Sequence, residues 1–436
     1  MAIFPCFFLF LIHPFSHAAA AAGDPCNAPF TSGNIALLQI NNRCSPFHSP
    51  SAPTTTFDSV LQLSRRVDQN RLAFLSSLVA ASSVPIASGL HILDSPIYLL
   101  RSSLGSPPQP LFLVLDTASD ASFISYNYNL TTSSSSFQPL SCSSPVCPLF
   151  NGQPCTLSSS LCSYNQSYGG DSFFSATLSQ DILRLGADNI TSFTFGAVTS
   201  SIAGPTFPKH GLLGLGRGPV SFLSQTQSLY SSVFSYCLPS YNSYYFSGSL
   251  RLGPRGQPAR IRSTPLLLNP HRPSLYYVNL TGVSVGRVLV PVPPGSFAFD
   301  PQTGAGTVVD AGTVITRFVS EAYAAIRDEF RKQVNATAGY QSLGAFDTCF
   351  STSIGDGEMV PLPSVTLHLE GLNLVLPAAN SLIHSSARPL ACLAMAAAPM
   401  NVNTVVNVIA SYQQQNHRVL VDVPGGRVGF ARELCS

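Results

Sequence analysis

Leu113-Val114-Leu115-Asp116-Thr117-Ala118-Ser119 and Thr307-Val308-Val309-Asp310-Ala311-Gly312-Thr313 repeat one pattern: an apolar run, an aspartate, two small residues, then a hydroxyl. A run rich in Leu and Val builds a buried strand, and an acidic residue at its end, followed by small residues, sets a carboxylate in a tight turn. An aspartate beside small residues ordinarily does no more than close a turn. Here the pattern occurs twice, roughly two hundred residues apart, about the length of one lobe, which points to an internal duplication. Two carboxylates brought together cannot both ionise easily, so they share a proton and can hold and activate one water.

Further stretches narrow the reading. They are Gln166-Ser167-Tyr168-Gly169-Gly170, Gly211-Leu212-Leu213-Gly214-Leu215-Gly216-Arg217-Gly218, Phe234-Ser235-Tyr236-Cys237-Leu238, Ser274-Leu275-Tyr276-Tyr277-Val278, Phe346-Asp347-Thr348-Cys349 and Gln413-Gln414-Gln415-Asn416-His417-Arg418. With these the chain, from about residue 85 to its C-terminus, resembles the pepsin-type aspartic endopeptidases. Within them it is most similar to the plant nepenthesin-like and chloroplast-nucleoid-protease-like branch, the apoplastic aspartyl proteases. The resemblance implies a mostly β, bilobal fold with a central cleft and few short helices. It implies Asp116 and Asp310 as the catalytic pair, with Thr117, Ser119, Gly312 and Thr313 supporting them. Tyr168, Gly169 and Gly170 match the tip of the family's flap, a hairpin that closes over substrate and excludes water. Gly211 to Gly218 lacks the Lys-Ser/Thr ending of a phosphate loop and matches instead the loop in which Leu212-Leu213-Gly214 packs behind the first aspartate.

The chain also departs from the family pattern. Ala118 stands where a glycine is usual, Ala311 where a hydroxyl residue is usual, and Ala410, in Val408-Ile409-Ala410, where the second lobe has a glycine. Thr117 keeps one half of the family's cross-loop hydroxyl grip while Ala311 gives up the other, a loss of about 1 kcal/mol for a buried hydrogen bond. Phe123 replaces a tryptophan whose N–H would anchor the flap tyrosine; it fills the volume and donates nothing. Cysteines expected near Tyr126 and at Ala197 are absent. Ser119 and Thr313, the outer hydroxyls, are both present.

Composition fits a secreted β-protein. Charged residues make up 10% of the chain and apolar ones 45%, which excludes disorder by low hydrophobicity. Net charge is +2 and the lysines are Lys209 and Lys332 alone, so no basic stripe is available for phosphates and no nucleic-acid partner is expected. Residues 1–22 read as a signal peptide, with an apolar Ile3 to Ile12 and small residues at Ala18 to Ala22. That apolar stretch is too short for a membrane anchor, since His13 and Pro14 interrupt it. The expected location is extracellular, in the apoplast, ahead of vacuole or plastid, and the expected state is a monomer.

Removing Cys6 with the signal leaves ten of the eleven cysteines. Spacing suggests Cys142-Cys147 and Cys155-Cys162 as small local loops, and the family resemblance suggests Cys349-Cys392. Cys26 with Cys44 would stay near the N-terminus, leaving Cys237-Cys435. No Cys-x-x-Cys or paired His accompanies them, so neither metal nor cofactor is expected. Sequons at Asn129, Asn165, Asn189, Asn279 and Asn335 fit a glycosylated chain.

Residues 23–85 differ from the rest. Asp58 is placed to cap a helix carrying Val60, Leu63, Val67, Phe74 and Leu78 on one side, Arg65 and Arg66 on the other, and Arg71 within the apolar stripe. The resemblance implies an inhibitory pro-segment whose arginines could act as counter-charges for the paired aspartates, with a cleavable linker near Ala80 to Gly89. Residues 86–240 are then an N-terminal lobe carrying the flap and Asp116, and 241–436 a C-terminal lobe carrying Asp310. Short strands with Gly, Pro and Ser turns begin at Ile97, and one helix is predicted at Ser320 to Val334, where Tyr323, Ile326 and Phe330 recur at helical spacing. The expectation is an endopeptidase that acts at acidic pH on an extended peptide; the alternative is a protease-like binding or inhibitor protein of weak or no activity.

Overall fold

The computed structural model describes residues 35–39, residue 68 and most of 97–435. Residues 1–22, Cys26, Cys44, Tyr126, Asn129, Gly169, Gly170 and, apart from Asp68, the helix expected after Asp58 lie outside the described residues.

The fold grows from the two quoted segments. In the strand Gln109–Asp116, Leu111, Leu113, Val114 and Leu115 are all buried, which is what a run apolar on both faces requires. It pairs antiparallel with Tyr98–Leu104 and parallel with Gly211–Gly214, with Val114 opposite Leu212 and Asp116 opposite Gly214. The short strand Phe123–Ile124 then runs antiparallel to Gly211–Gly214 and parallel to Asp188–Ile202.

The second segment repeats this plan. Gly306–Val309 pairs parallel with Val406–Ile409, and Thr316–Phe318 runs antiparallel to that strand at Arg317 opposite Val408 and parallel to Met395–Ala397. The two halves share this pairing pattern, with Asp116 closing its buried strand and Asp310 directly following Val309. They meet through a central antiparallel sheet in which Val233–Cys237 pairs with Gly248–Leu252 and His417–Asp422, and the latter pairs with Arg427–Arg432. The strand Ile35–Gln39 lies in this sheet, antiparallel to both Tyr98–Leu104 and Gly248–Leu252.

The predicted helix is present at Ser320–Val334 with the expected limits. Ala322, Tyr323, Ile326, Phe330 and Val334 make its buried face, Glu321 stands in its first turn, and Arg331 and Lys332 stand in its last, in keeping with the helix dipole. Asn335 ends it in the left-handed region at φ 47°.

Four disulfides occur among the described residues. Cys237–Cys435 and Cys349–Cys392 are as expected. The two local loops are not: Cys142 bonds Cys155 and Cys147 bonds Cys162, so the expected Cys142-Cys147 and Cys155-Cys162 pairs are replaced by two interleaved bridges. The chain doubles back here, with Ser141 bridging Leu161 and Cys142 N–H donating to the Ser160 carbonyl, while a 3₁₀ turn at Cys147–Phe150 turns Cys147 inward. Cα separations of 5.2 Å and 5.8 Å then select the partners, and short loops lose to geometry. Gly152 sits against the Cys147–Cys162 bridge, where a Cβ would fall 2.3 Å from the Cys147 Sγ.

Candidate active site

Asp116 and Asp310 are both buried, each at the end of its strand, and the loop following each strand wraps its carboxylate in the same way. Ala118 N–H donates to Asp116 Oδ1 at 2.9 Å and the Ser119 hydroxyl to Oδ2 at 2.7 Å. Gly312 N–H donates to Asp310 Oδ1 at 3.0 Å and the Thr313 hydroxyl to Oδ2 at 2.7 Å. Each carboxylate thus has one oxygen held by a backbone donor two residues on and the other by a hydroxyl three residues on.

Thr117 joins the halves. Its hydroxyl donates to Asp310 Oδ1 at 3.0 Å and accepts from Ala311 N–H at 2.9 Å. The grip expected of Thr117 is therefore present, and Ala311, with only a methyl, cannot return it. Ala118 keeps a backbone conformation open to any L-residue and packs its methyl with Leu275, Tyr277, Val308 and Ala410, so the lost glycine is absorbed as apolar contact.

The strand behind each aspartate is also duplicated. Gly214 N–H donates to the Ser122 hydroxyl at 3.0 Å, and Ala410 N–H donates to the Thr316 hydroxyl at 3.0 Å. A Cβ on Gly214 would lie 2.3 Å from the Asp120 carbonyl oxygen, so glycine is required there, whereas Ala410 fits at its own position without exposure. Leu215 N–H donates to the Asp116 carbonyl at 2.8 Å, which places the Leu212-Leu213-Gly214 run behind the first aspartate as expected.

Several residues matter here that sequence reasoning gave no role. Beneath Asp310, Gln414 donates through Nε2 to the Asp310 carbonyl at 3.2 Å and to Ile409 O at 2.7 Å, and its Oε1 accepts from the Tyr236 hydroxyl at 2.6 Å. Burial first, and the charge of Asp310 after it, push the Tyr236 hydroxyl well above its usual range, so it stays a donor. Gln413 accepts from Thr316 N–H at 3.0 Å and donates to Ala394 O at 2.7 Å. The signal was available: a run of three glutamines, Gln413 to Gln415, two residues beyond the apolar Val408-Ile409-Ala410, must satisfy its amides inside the protein.

Asp120 is the other. It accepts from Gly218 N–H at 2.8 Å and from the Ser274 hydroxyl, tying the first loop to the segment that leads into the second half. Burial raises its pKa, and the neighbouring charge of Asp116 adds to the rise. Tyr276 makes a parallel tie, donating its hydroxyl to Leu215 O while its carbonyl accepts from Val309 N–H.

Ser163–Tyr168 and Ser172–Leu185 form the expected hairpin, with Tyr168 opposite Ser172. Its stem is held by rings. Phe123 lies 4.8 Å from Phe174 of the hairpin and stacks on Phe207 at 5.2 Å, so packing replaces the hydrogen bond that a tryptophan would give. Among the sequons, Asn165, Asn189 and Asn335 are exposed and Asn279 is half-buried.

Two family models match the chain: xylanase inhibitor N-terminal over residues 98–254 and xylanase inhibitor C-terminal over residues 275–432. The chain is 52% identical over 454 residues to aspartyl protease AED3 of Arabidopsis thaliana, covering 99% of this chain and 98% of that one. It is 53% identical over 423 residues to aspartyl protease 25 of Oryza sativa subsp. japonica, covering 90% and 94%. Nepenthesin-1 of Nepenthes gracilis, an aspartic proteinase, is 33% identical over 352 residues, covering 78% of each chain. Among solved structures, edgp superposes with a TM-score of 0.64 at 21% identity, covering 78% of this chain and 92% of its own. Conglutin gamma, a basic 7S globulin from lupine seeds, superposes at 0.63 and 19%, covering 77% and 91%. At these low identities the two structures establish the fold alone.

Proposed function

Because the chain belongs to the pepsin-like aspartic protease family, we propose that it is a secreted aspartic endopeptidase, made as a zymogen, with Asp116 and Asp310 as its catalytic pair. The observation that carries the reading is the matched bracing of the two carboxylates, joined by the Thr117 hydroxyl at Asp310. Such bracing is what a preorganised acid–base pair needs.

In this reading the pair holds one proton between its two carboxyl groups and binds a water. The ionised carboxylate takes a proton from that water as its oxygen attacks the scissile carbonyl carbon, and the protonated one gives its proton to the developing oxyanion. Collapse of the tetrahedral intermediate breaks the C–N bond: the amine nitrogen leaves with the proton held by the pair, and a hydroxyl of the intermediate gives its proton back as the new carboxyl group forms, which restores the singly protonated pair. The substrate lies extended in the cleft, its backbone bound and its side chains in subsites, under the hairpin that ends at Tyr168, Gly169 and Gly170.

Passage through the secretory route is supported by the four disulfides and the exposed sequons, and residues 1–22 and 23–85 are read as signal and pro-segment. Among the described residues no helix is long and apolar enough to cross a membrane. The test is peptide cleavage at acidic pH. Asp116→Asn and Asp310→Asn should each abolish it, and a statine-type transition-state mimic should block it. Activity that survives either substitution, or that appears only at neutral pH and yields to chelators, refutes the assignment.

A further inference from the structure

Outside the paired aspartates the protein buries an ion pair, Asp68 with Arg317. Asp68 is 0% exposed, and its partner Arg317 is 3% exposed. Asp68 Oδ1 accepts from Val314 N–H at 2.8 Å; Oδ2 accepts from Ile315 N–H at 3.1 Å and from Arg317 Nε and Nη2 at 3.2 Å and 2.9 Å. Two successive backbone donors and one edge of a guanidinium, its Nε and Nη2, converge on one carboxylate, a complete receptor for that group.

The receptor is built into the loop that carries Asp310. Val314 and Ile315 follow Thr313 directly, and the Thr313 and Val314 carbonyls accept from Ser411 and Tyr412 N–H at 2.9 Å each. Arg317 is fixed from its other side by Nη1 donating to Ala397 O at 3.2 Å. Every one of these contacts comes from the body of the protein, whereas Asp68 comes from the N-terminal region, 249 residues away from Arg317.

As a source of stability the pair is unremarkable, since a buried ion pair commonly does no better than well-packed apolar groups. Its asymmetry is what matters. Withdrawing Asp68 would leave a guanidinium and two amides buried without their acceptor, which is strongly unfavourable. The same region is held a second time, by the backbone ladder of Ile35–Gln39 between Tyr98–Leu104 and Gly248–Leu252.

We propose that Val314, Ile315 and Arg317 form a carboxylate-binding site, separate from the catalytic pair, that grips the N-terminal segment through Asp68 and keeps it bound after the chain is cut between Asp68 and Ile97. The proposal rests on the reading of residues 23–85 as a removable segment. Under it, scission alone does not free the enzyme: the segment stays as a second chain until it is cut again or another carboxylate displaces Asp68.

The experiment uses the full chain with Asp116→Asn, so that it cannot cut itself, and a specific protease site inserted near Ala80 to Gly89. After cutting at about pH 5, the segment should co-elute with the body in size exclusion, and Asp68→Asn should speed its loss by about tenfold or more. With the unsubstituted segment bound, the Val314 and Ile315 amides of the body should stay protected from hydrogen exchange after the cut; this readout needs no change at Asp68. Separation of the unsubstituted segment on cutting, equal retention with Asp68→Asn, or deprotection of those two amides overturns the proposal. If the chain with both aspartates intact shows no peptidase even after the segment has been stripped away completely, while the cut segment is otherwise retained through Asp68, the zymogen reading falls and the carboxylate site stands.

Discussion

The Thr117 hydroxyl bonds Asp310 across 193 residues of sequence, donating to Oδ1 at 3.0 Å and accepting from Ala311 N–H at 2.9 Å. One side chain therefore sets the distance between the two halves of the site and is the only hydroxyl placed next to either aspartate, since its counterpart is Ala311. Thr117→Val keeps the shape, removes the donor and leaves a buried amide unpaired, at a cost of about 1–3 kcal/mol. It should lower kcat/KM by about tenfold or more, measured with a peptide substrate at acidic pH. Unchanged kcat/KM would mean that the bridge plays no part in organising the pair.

Ala311→Ser tests the converse. Ala311 is buried beside Thr117, and a serine hydroxyl there could return the missing contact to the first loop. A recovered hydrogen bond of about 1 kcal/mol should raise kcat severalfold, up to about tenfold. A fall in kcat together with a lower Tm would show instead that the added oxygen is left unsatisfied.

Tyr236→Phe should reduce stability by about 1–2 kcal/mol, since it strips the donor from Gln414 Oε1, an amide whose nitrogen already supports the Asp310 carbonyl. Calorimetry reads this as a lower Tm. An unaltered Tm would show that the amide finds another donor.

Asp68 gives a pH prediction. Burial, the strongest influence, raises its pKa from 3.8 to about 6 against the opposing pull of Arg317. The docked carboxylate thus takes up a proton more readily than the free one, so the added hold that comes with that proton is full below 3.8 and fades as pH rises through about 6, while the four donors to the carboxylate remain. The cut segment should leave more slowly at about pH 5 than at about pH 7.5, and Asp68→Asn should flatten the difference. Faster loss at the lower pH would reverse the sign.

The fold and the pair of aspartates were legible because their signals are local. An apolar run ending on an aspartate, or Tyr323, Ile326 and Phe330 at helical spacing, needs nothing from elsewhere in the chain to be read. The disulfides around Cys147 were misread because nearness in sequence measures loop closure, while the return of the chain from Ser141 to Leu161 decides which sulfurs face each other. Asp68 went unread for a similar reason. The segment's arginines Arg65, Arg66 and Arg71, expected as counter-charges for the aspartates, lie outside the described residues; the segment's charge that the structure does place is Asp68, paired with an arginine of the body. The role of Phe123 lay between the two: its lost donor was plain in the sequence, and its ring contacts with Phe174 and Phe207 were not.

The strand Ile35–Gln39 fills a slot between two strands that do not pair with each other at that point, Tyr98–Leu104 and Gly248–Leu252. A polypeptide synthesised without its first 39 residues would present two facing rows of unpaired backbone groups during folding, a template for capturing strands from other copies. The N-terminal region is thus part of what lets the newly made chain reach its fold without aggregating, and recombinant protein made from the body alone should depend on refolding conditions far more than protein made from the whole gene.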